Sequence, residues 1–284
     1  MINLGFLRKN RKVTLVLGGG SARGLAHIGV LKILEREKVH IDAVVGTSMG
    51  ALVGAAYSVG IPVERMEEKA YKFSMNRLVD PTIPKMGLLA GDKLENTIKD
   101  VLENKTFADC KIPLLIVTTD IENNEEVVFK TGDLAKIVRA SSSWPGIFNP
   151  IRIDGRLLVD GGIKNSVPTR IAKCFDADYM IAVDVGFCVK KGKIDNIFQM
   201  ILQSFQIMGH ELNQYQADEA DSVIRVDLGD LDQTAFHKAR EAVAKGSAAA
   251  ENVIERIKKD LHIHDGHLAD GPKADGDGKA PSTS

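Results

Sequence analysis

Val13-Thr14-Leu15-Val16-Leu17-Gly18-Gly19-Gly20-Ser21-Ala22-Arg23-Gly24 and, further on, Ile41-Asp42-Ala43-Val44-Val45-Gly46-Thr47-Ser48-Met49-Gly50 repeat one pattern. Each is a short β-prone apolar run that breaks at glycines and leads into helical sequence. After the first turn, Leu25, Ile28, Leu31 and Leu34 recur at helical spacing; after the second, Ala51 to Val59 is rich in Ala, Leu and Val. A strand, a tight turn and a helix, given twice in succession, predict parallel strands covered by helices, an α/β fold with a mainly parallel central sheet.

Working outward, Ile112 to Asp120, Glu126 to Phe129, Asp178 to Val185 and Val223 to Val226 read as further strands. Ile151-Arg152-Ile153 and Leu157-Leu158-Val159 flank Asp154-Gly155, a hairpin signal because the turn needs positive φ. Leu134 to Ser142, Ile194 to Gln216 and His237 to Lys259 read as helices. Between Pro62 and Asn104 only helices and loop are expected, with Pro81 and Pro84 interrupting and Asp92…Glu95 resembling a helix start. That strandless stretch, 62–91 above all, is either a lid over a site or peripheral helices that simply pack. The chain is expected to have a lead-in at 1–12, one domain over 13–264 and a disordered polar tail at 265–284.

Composition limits the function. At 284 residues, 44% hydrophobic and 26% charged, the chain can bury a full core. Thirty-seven basic against 38 acidic residues give a formal charge of -1, which argues against a chain-wide grip on nucleic acid. Cys110, Cys174 and Cys188 are widely spaced and form no C-x-x-C pair, so neither a disulfide framework nor a zinc site is indicated, and the compartment is expected to be reducing. Ile2 to Leu7 precedes the basic Arg8 to Lys12, the reverse of a secretory signal, and no apolar run approaches the ~20 residues of a membrane span. A cytoplasmic protein is expected, with peripheral contact at the inner membrane face through the basic cluster as the alternative to a solvated lead-in.

Gly46-Thr47-Ser48-Met49-Gly50 matches G-x-S-x-G between a strand and a helix, the setting that strains a serine and projects its hydroxyl above the sheet. Gly18 to Gly24 fails both nucleotide fingerprints on spacing. A P-loop from Gly19 needs lysine where Leu25 stands, and a dinucleotide loop needs glycine at Arg23 or Ser21. What remains is a backbone turn at a helix start with amides free for an anion, such as the oxyanion of acyl transfer. Asp160, ahead of Gly161-Gly162, places a carboxylate at a strand end. His210 and His237 follow Ser48 in the order of an α/β-hydrolase triad, but both fall in helices rather than in loops after strands.

Taken with Gly24-Leu25-Ala26-His27-Ile28-Gly29-Val30-Leu31 and Ala140-Ser141-Ser142-Ser143-Trp144-Pro145-Gly146-Ile147-Phe148-Asn149-Pro150, these motifs resemble the patatin-like phospholipase family, in order over residues 13–185. The resemblance implies a three-layer α/β/α fold and a serine lipid acyl hydrolase that needs no histidine, metal or cofactor. It implies Ser48 as nucleophile and Asp160 as proton acceptor. Gly19, Gly20 and Ser21 would form the oxyanion hole, and Arg23 would fix the loop or steady an anion. Ser21 departs from the glycine that many relatives carry there. Substrates would be phospholipid, lysophospholipid or simpler acyl esters. An esterase with a histidine triad and a non-catalytic adaptor on the same fold are the competing readings. A carboxylate of ordinary pKa, ~3.9, is a weak base at neutral pH, so Asp160 must be desolvated or act by orienting the serine proton.

Overall fold

The computed structural model describes residues 11–83, 86–186, 194–195 and 197–263. Most of the expected lead-in and the whole of the expected polar tail lie outside the described residues. In chain order the strands are β1 (Val13–Leu17), β2 (Ala43–Thr47), β3 (Gly87–Leu89), β4 (Leu114–Asp120), β5 (Glu125–Phe129), β6 (Gly146–Phe148), β7 (Ile151–Ile153), β8 (Arg156–Asp160), β9 (Tyr179–Asp184) and β10 (Ser222–Arg225). The α-helices are α1 (Ala26–Arg36), α2 (Met49–Ser58), α3 (Val63–Tyr71), α4 (Asp92–Val101), α5 (Leu134–Ser141), α6 (Thr169–Ala172), α7 (Ile197–Ala217) and α8 (Ala239–Leu261).

β10, β9, β1, β2 and β4 lie side by side in that order and all run parallel; β5, β8 and β7 complete the sheet antiparallel. Every residue of β1, β2, β4 and β9 is buried. That is why these strands read as continuous apolar runs: both of their faces are covered. Alternation assigns the two faces. Leu15 and Leu17 pack in a large core with residues of α1, α2 and α8, whereas Val16 and Val45 join a smaller one with Ala172 of α6 and Ala217 of α7. The result is the three-layer α/β/α arrangement, mainly parallel, that the two leading βα units predict.

The hairpin forms as expected, with Asp154 and Gly155 at φ of 49° and 79° between β7 and β8. One expectation is overturned. Residues 62–104 are not strandless, because β3 pairs in parallel with β6, Gly87 opposite Gly146 and Leu89 opposite Phe148. Three residues are too few to show a period, so pattern reading passes over such a strand.

α1 and α8 cross at contact distance through reciprocal glycines. A Cβ on Gly29 would lie 2.0 Å from the Val243 carbonyl oxygen, and one on Gly246 would lie 2.0 Å from that of Ala26. Gly246→Ala gains helix propensity but forces the helices apart. The expected outcome is a net loss of about 1–3 kcal/mol in a denaturant melt.

Candidate active site

β4 has two edges and three partners. β5 pairs with Ile116 to Asp120, overlapping both the register of β2, at Leu114 to Val117, and that of β8, at Thr118 to Asp120. A residue offers one ladder on each side, so β5 takes one edge while β2 and β8 share the other. β2 runs with β4 and β8 runs against it, so their carboxyl ends converge. Thr47 stands opposite Val117, and Asp160 stands opposite Thr118, the next residue. The next residue along from β2 is Ser48.

Ser48 is at φ 54°, ψ -122°, a strained conformation for a serine, and caps the amino end of α2. The turn closes because its glycines leave no Cβ. One on Gly50 would meet the Leu17 carbonyl oxygen at 2.1 Å, and one on Gly46 the Gly50 oxygen at 2.6 Å. The Ser48 amide donates to Ser141 Oγ at 2.8 Å, and that hydroxyl donates to the Val117 carbonyl at 2.6 Å. Thr47 Oγ1 donates to the Asn165 carbonyl. Ser141 and Asn165 were not singled out from the sequence, although Ser141 lies in the quoted Ala140 to Pro150 segment; a buried hydroxyl's partner is a tertiary fact.

Ser48 Oγ donates to Asp160 Oδ2 at 2.7 Å across 112 residues of sequence, and Gly162 N–H donates to Oδ1 at 2.8 Å. Asp160 is 2% exposed. Burial pushes its carboxyl up to about 6, and the bonds from Ser48 and Gly162 oppose that rise. Of the two routes open to a weak carboxylate base, desolvation is present, and the bond that orients the serine proton is present with it.

The glycine loop lies beside Ser48: a Cβ on Gly19 would be 3.5 Å from that of Ser48. The amides of Gly18 and Gly19 are committed to the Val183 and Ser166 carbonyls. Gly19 therefore brings close approach to the site, and the expectation that its amide faces an oxyanion is corrected. Gly20 and Ser21 amides stand at the start of a 3-10 turn, Ser21–Leu25, where no helical acceptor exists for them. Ser21 is at φ 50°, a conformation in which glycine carries no strain. His27 Nε2 donates to the Gly18 carbonyl at 2.8 Å, and burial lowers this histidine to about 4, so the ring is neutral.

Arg23 is buried, with Nε donating to the carbonyls of Val185 and Gly186 and Nη1 to those of Gly229 and Leu231. These bonds tie the glycine loop to the segments that follow β9 and β10. Of the two roles expected for Arg23, they are those of loop fixing.

Ser48 and Asp160 open on a cavity of about 240 Å³. Its walls are mostly apolar: Leu25 and Ile28 from the loop helix, Leu52 and Val53 from α2, Met66 and Phe73 around α3, Leu94 and Ile98 from α4, and Ile147 and Phe148 from β6. Residues 62–91 thus supply a wall. Met66 and Leu78 are buried and Leu89 packs on the core, while Leu88 stands exposed. No histidine lines the cavity. His210 approaches only Gln214 on its own helix, and His237 is exposed before α8. Among the described residues no cluster of His, Cys, Asp or Glu could hold a metal, and no helix is long and apolar enough to cross a membrane. Cys110 and Cys174 are free thiols.

A strained serine at a strand-to-helix turn, hydrogen-bonded directly to a buried aspartate on a three-layer sheet, defines a class, and the comparisons agree on which. Residues 15–173 match the description "Patatin-like phospholipase", and the chain belongs to that family. It is 40% identical over 182 residues to the human patatin-like phospholipase domain-containing protein 6, a stretch covering 61% of this chain and 13% of that protein. It is 36% identical over 180 residues to an uncharacterized NTE family protein of Mycobacterium tuberculosis, covering 61% and 49%. The chain therefore matches half or less of these relatives. Among solved structures, VipD from Legionella pneumophila superposes with a TM-score of 0.61 at 14% identity, over 87% of this chain and 67% of that one. The type III effector ExoU does so at 0.51 and 15%, over 90% and 54%. Both share the fold.

Asp160 titrates lower in an unfolded chain than in this site, so between about 4 and 6 the folded state holds the extra proton and stability falls as pH rises through that window. Asp160→Asn removes that cost. At pH 7 the variant is expected to be the more stable by up to about 3 kcal/mol, with the gain vanishing below pH 4. Melting curves of both proteins across pH check it.

Proposed function

We propose that this chain is a serine hydrolase of lipid acyl esters that works through Ser48 and Asp160 without histidine. The observation that carries the reading is the 2.7 Å bond between Ser48 Oγ and Asp160 Oδ2 at the end of an apolar cavity. Family membership supports ester lipids as the substrate class, whether phospholipid, lysophospholipid or a simpler ester. Asp160 takes the Ser48 proton as Oγ attacks the ester carbonyl carbon. The oxygen that gains the charge receives hydrogen bonds from the Gly20 and Ser21 amides, backed by the start of α2. Collapse of the tetrahedral adduct expels the alcohol, which leaves with the proton from Asp160. Water then gives a proton to Asp160 as it attacks the acyl-serine, and Asp160 returns that proton to Ser48 Oγ as the fatty acid leaves.

A carboxyl near 6 suits this cycle. It is ionised at neutral pH, and it holds a proton more readily than an exposed aspartate when the alcohol needs one.

Ser48→Ala and Asp160→Asn are each expected to lower hydrolysis of p-nitrophenyl esters by about three orders of magnitude or more, because the pair acts as a unit. A fluorophosphonate probe should label the natural protein and not Ser48→Ala. Since the base must be ionised, kcat/KM should fall about tenfold per pH unit below about 6. Full activity of His210→Ala and His237→Ala beside an inactive Asp160→Asn separates this chemistry from a histidine triad; absence of labelling at Ser48 would mark an adaptor. Polarisation by amides needs no metal, so soluble-ester turnover should survive a chelator, read directly as rate with and without it.

A further inference from the structure

Several polar residues of α7 bond the body: Asn213 Nδ2 donates to Asp184, Gln216 bonds both Lys164 O and Val167 N, and Gln206 bonds Gln233. Its exposed side carries Ile197, Met200, Ile201, Ile207, Met208 and Tyr215, with Ile197 and Tyr215 75% exposed. Water-facing helices normally have the opposite pattern. From Ile197 to Ala217 the sequence holds one formal charge, Glu211. In its first turns Ile197, Gln199, Met200 and Ile201 are all exposed.

A second apolar strip arises from unrelated sequence. Val79, Ile83, Met86 and Leu88 are exposed, Ile83 at 81%. Residues next to each strip line the same cavity. Met75 and Leu78 line it at the root of one strip, Ile147 and Phe148 line it from the strand that pairs with β3, and Gln206 lines it from α7.

We propose that these two strips form the face by which the protein seats on a lipid surface, so that an acyl chain passes from the surface into the cavity without crossing water. The consequence for turnover rests on the proposed lipid hydrolysis; the seating itself does not. Two observations favour lipid over a second copy of the chain. The two strips flank one cavity rather than forming one patch. That cavity is apolar and ends at the serine. The near absence of charge on α7 makes the contact hydrophobic, so uncharged phosphatidylcholine suffices.

The test uses the full chain carrying Ser48→Ala, so that binding is read without turnover, and phosphatidylcholine vesicles sedimented in low and in high salt. Co-sedimentation is expected at both salt concentrations. Ile197→Glu with Ile201→Glu, and separately Ile83→Glu, should each lower the bound fraction about tenfold with unchanged melting temperature, all three sites being exposed. With Ser48 restored, the same variants should lose about tenfold in hydrolysis of vesicle phospholipid and keep the natural rate on a soluble short-chain ester. Three results overturn the proposal: no binding to phosphatidylcholine, binding only to anionic vesicles and lost in salt, or a dimer that Ile197→Glu with Ile201→Glu dissociates. A chain that binds vesicles yet turns over no ester refutes the proposed hydrolysis and leaves the seating intact.

Discussion

The geometry of the site depends on one edge of β4. Two strands of opposite direction share that edge, and a ladder position can hold only one partner, so β2 must stop where β8 arrives. Their ends meet at consecutive residues of β4, Val117 and Thr118. The chain leaving β2 turns at once into α2, which produces the strained Ser48; the chain leaving β8 turns into Gly161-Gly162. A Cβ on Gly161 would lie 2.4 Å from the Val117 carbonyl oxygen, so the second exit is as crowded as the first. Ser141 from α5 ties the arrangement to the same carbonyl and to the Ser48 amide. Strain of this kind costs about 1–3 kcal/mol per residue and persists only where the surroundings overdetermine it. Here sheet register, glycine packing and a buried hydroxyl all do so.

The second theme is dryness. Around Ser48 the polar groups include amides, carbonyls, the Ser141 hydroxyl and the Asp160 carboxylate, and burial acts on Asp160 and His27 in the direction that removes charge. It raises Asp160 and lowers His27. Arg23 keeps its charge by spending its donors on backbone carbonyls, away from the serine. Asp160 stands at the end of a mostly apolar cavity with its carboxyl pushed up to about 6.

Much of this was legible in the sequence because it was local. The leading βα units, the Asp154-Gly155 hairpin and the G-x-S-x-G turn each fit within a dozen residues, where period and glycine placement carry the information. Ser48 and Asp160 were legible as candidates, since both sit at strand ends. Their meeting was not, because it depends on register along β4, which no local pattern states. The same limit explains Gly19 and Arg23: glycine beside arginine reads as an anion loop until the carbonyls of residues more than a hundred positions away claim the donors. β3 was too short to show, and the exposed apolar residues of α7 could not be told from core packing until burial is assigned residue by residue.

The order in which the chain is made adds a consequence to the convergence of β2 and β8. Ser48 emerges early, with its turn and helix encoded locally, but its partner arrives 112 residues later and only by pairing antiparallel to a strand laid down in between. A nascent or partly folded chain can form the elbow and hold no base beside it. The Ser48–Asp160 pair is therefore complete only when the last stretch of that edge zips shut, and under the proposed dyad a chain caught short of that point carries the serine without its base.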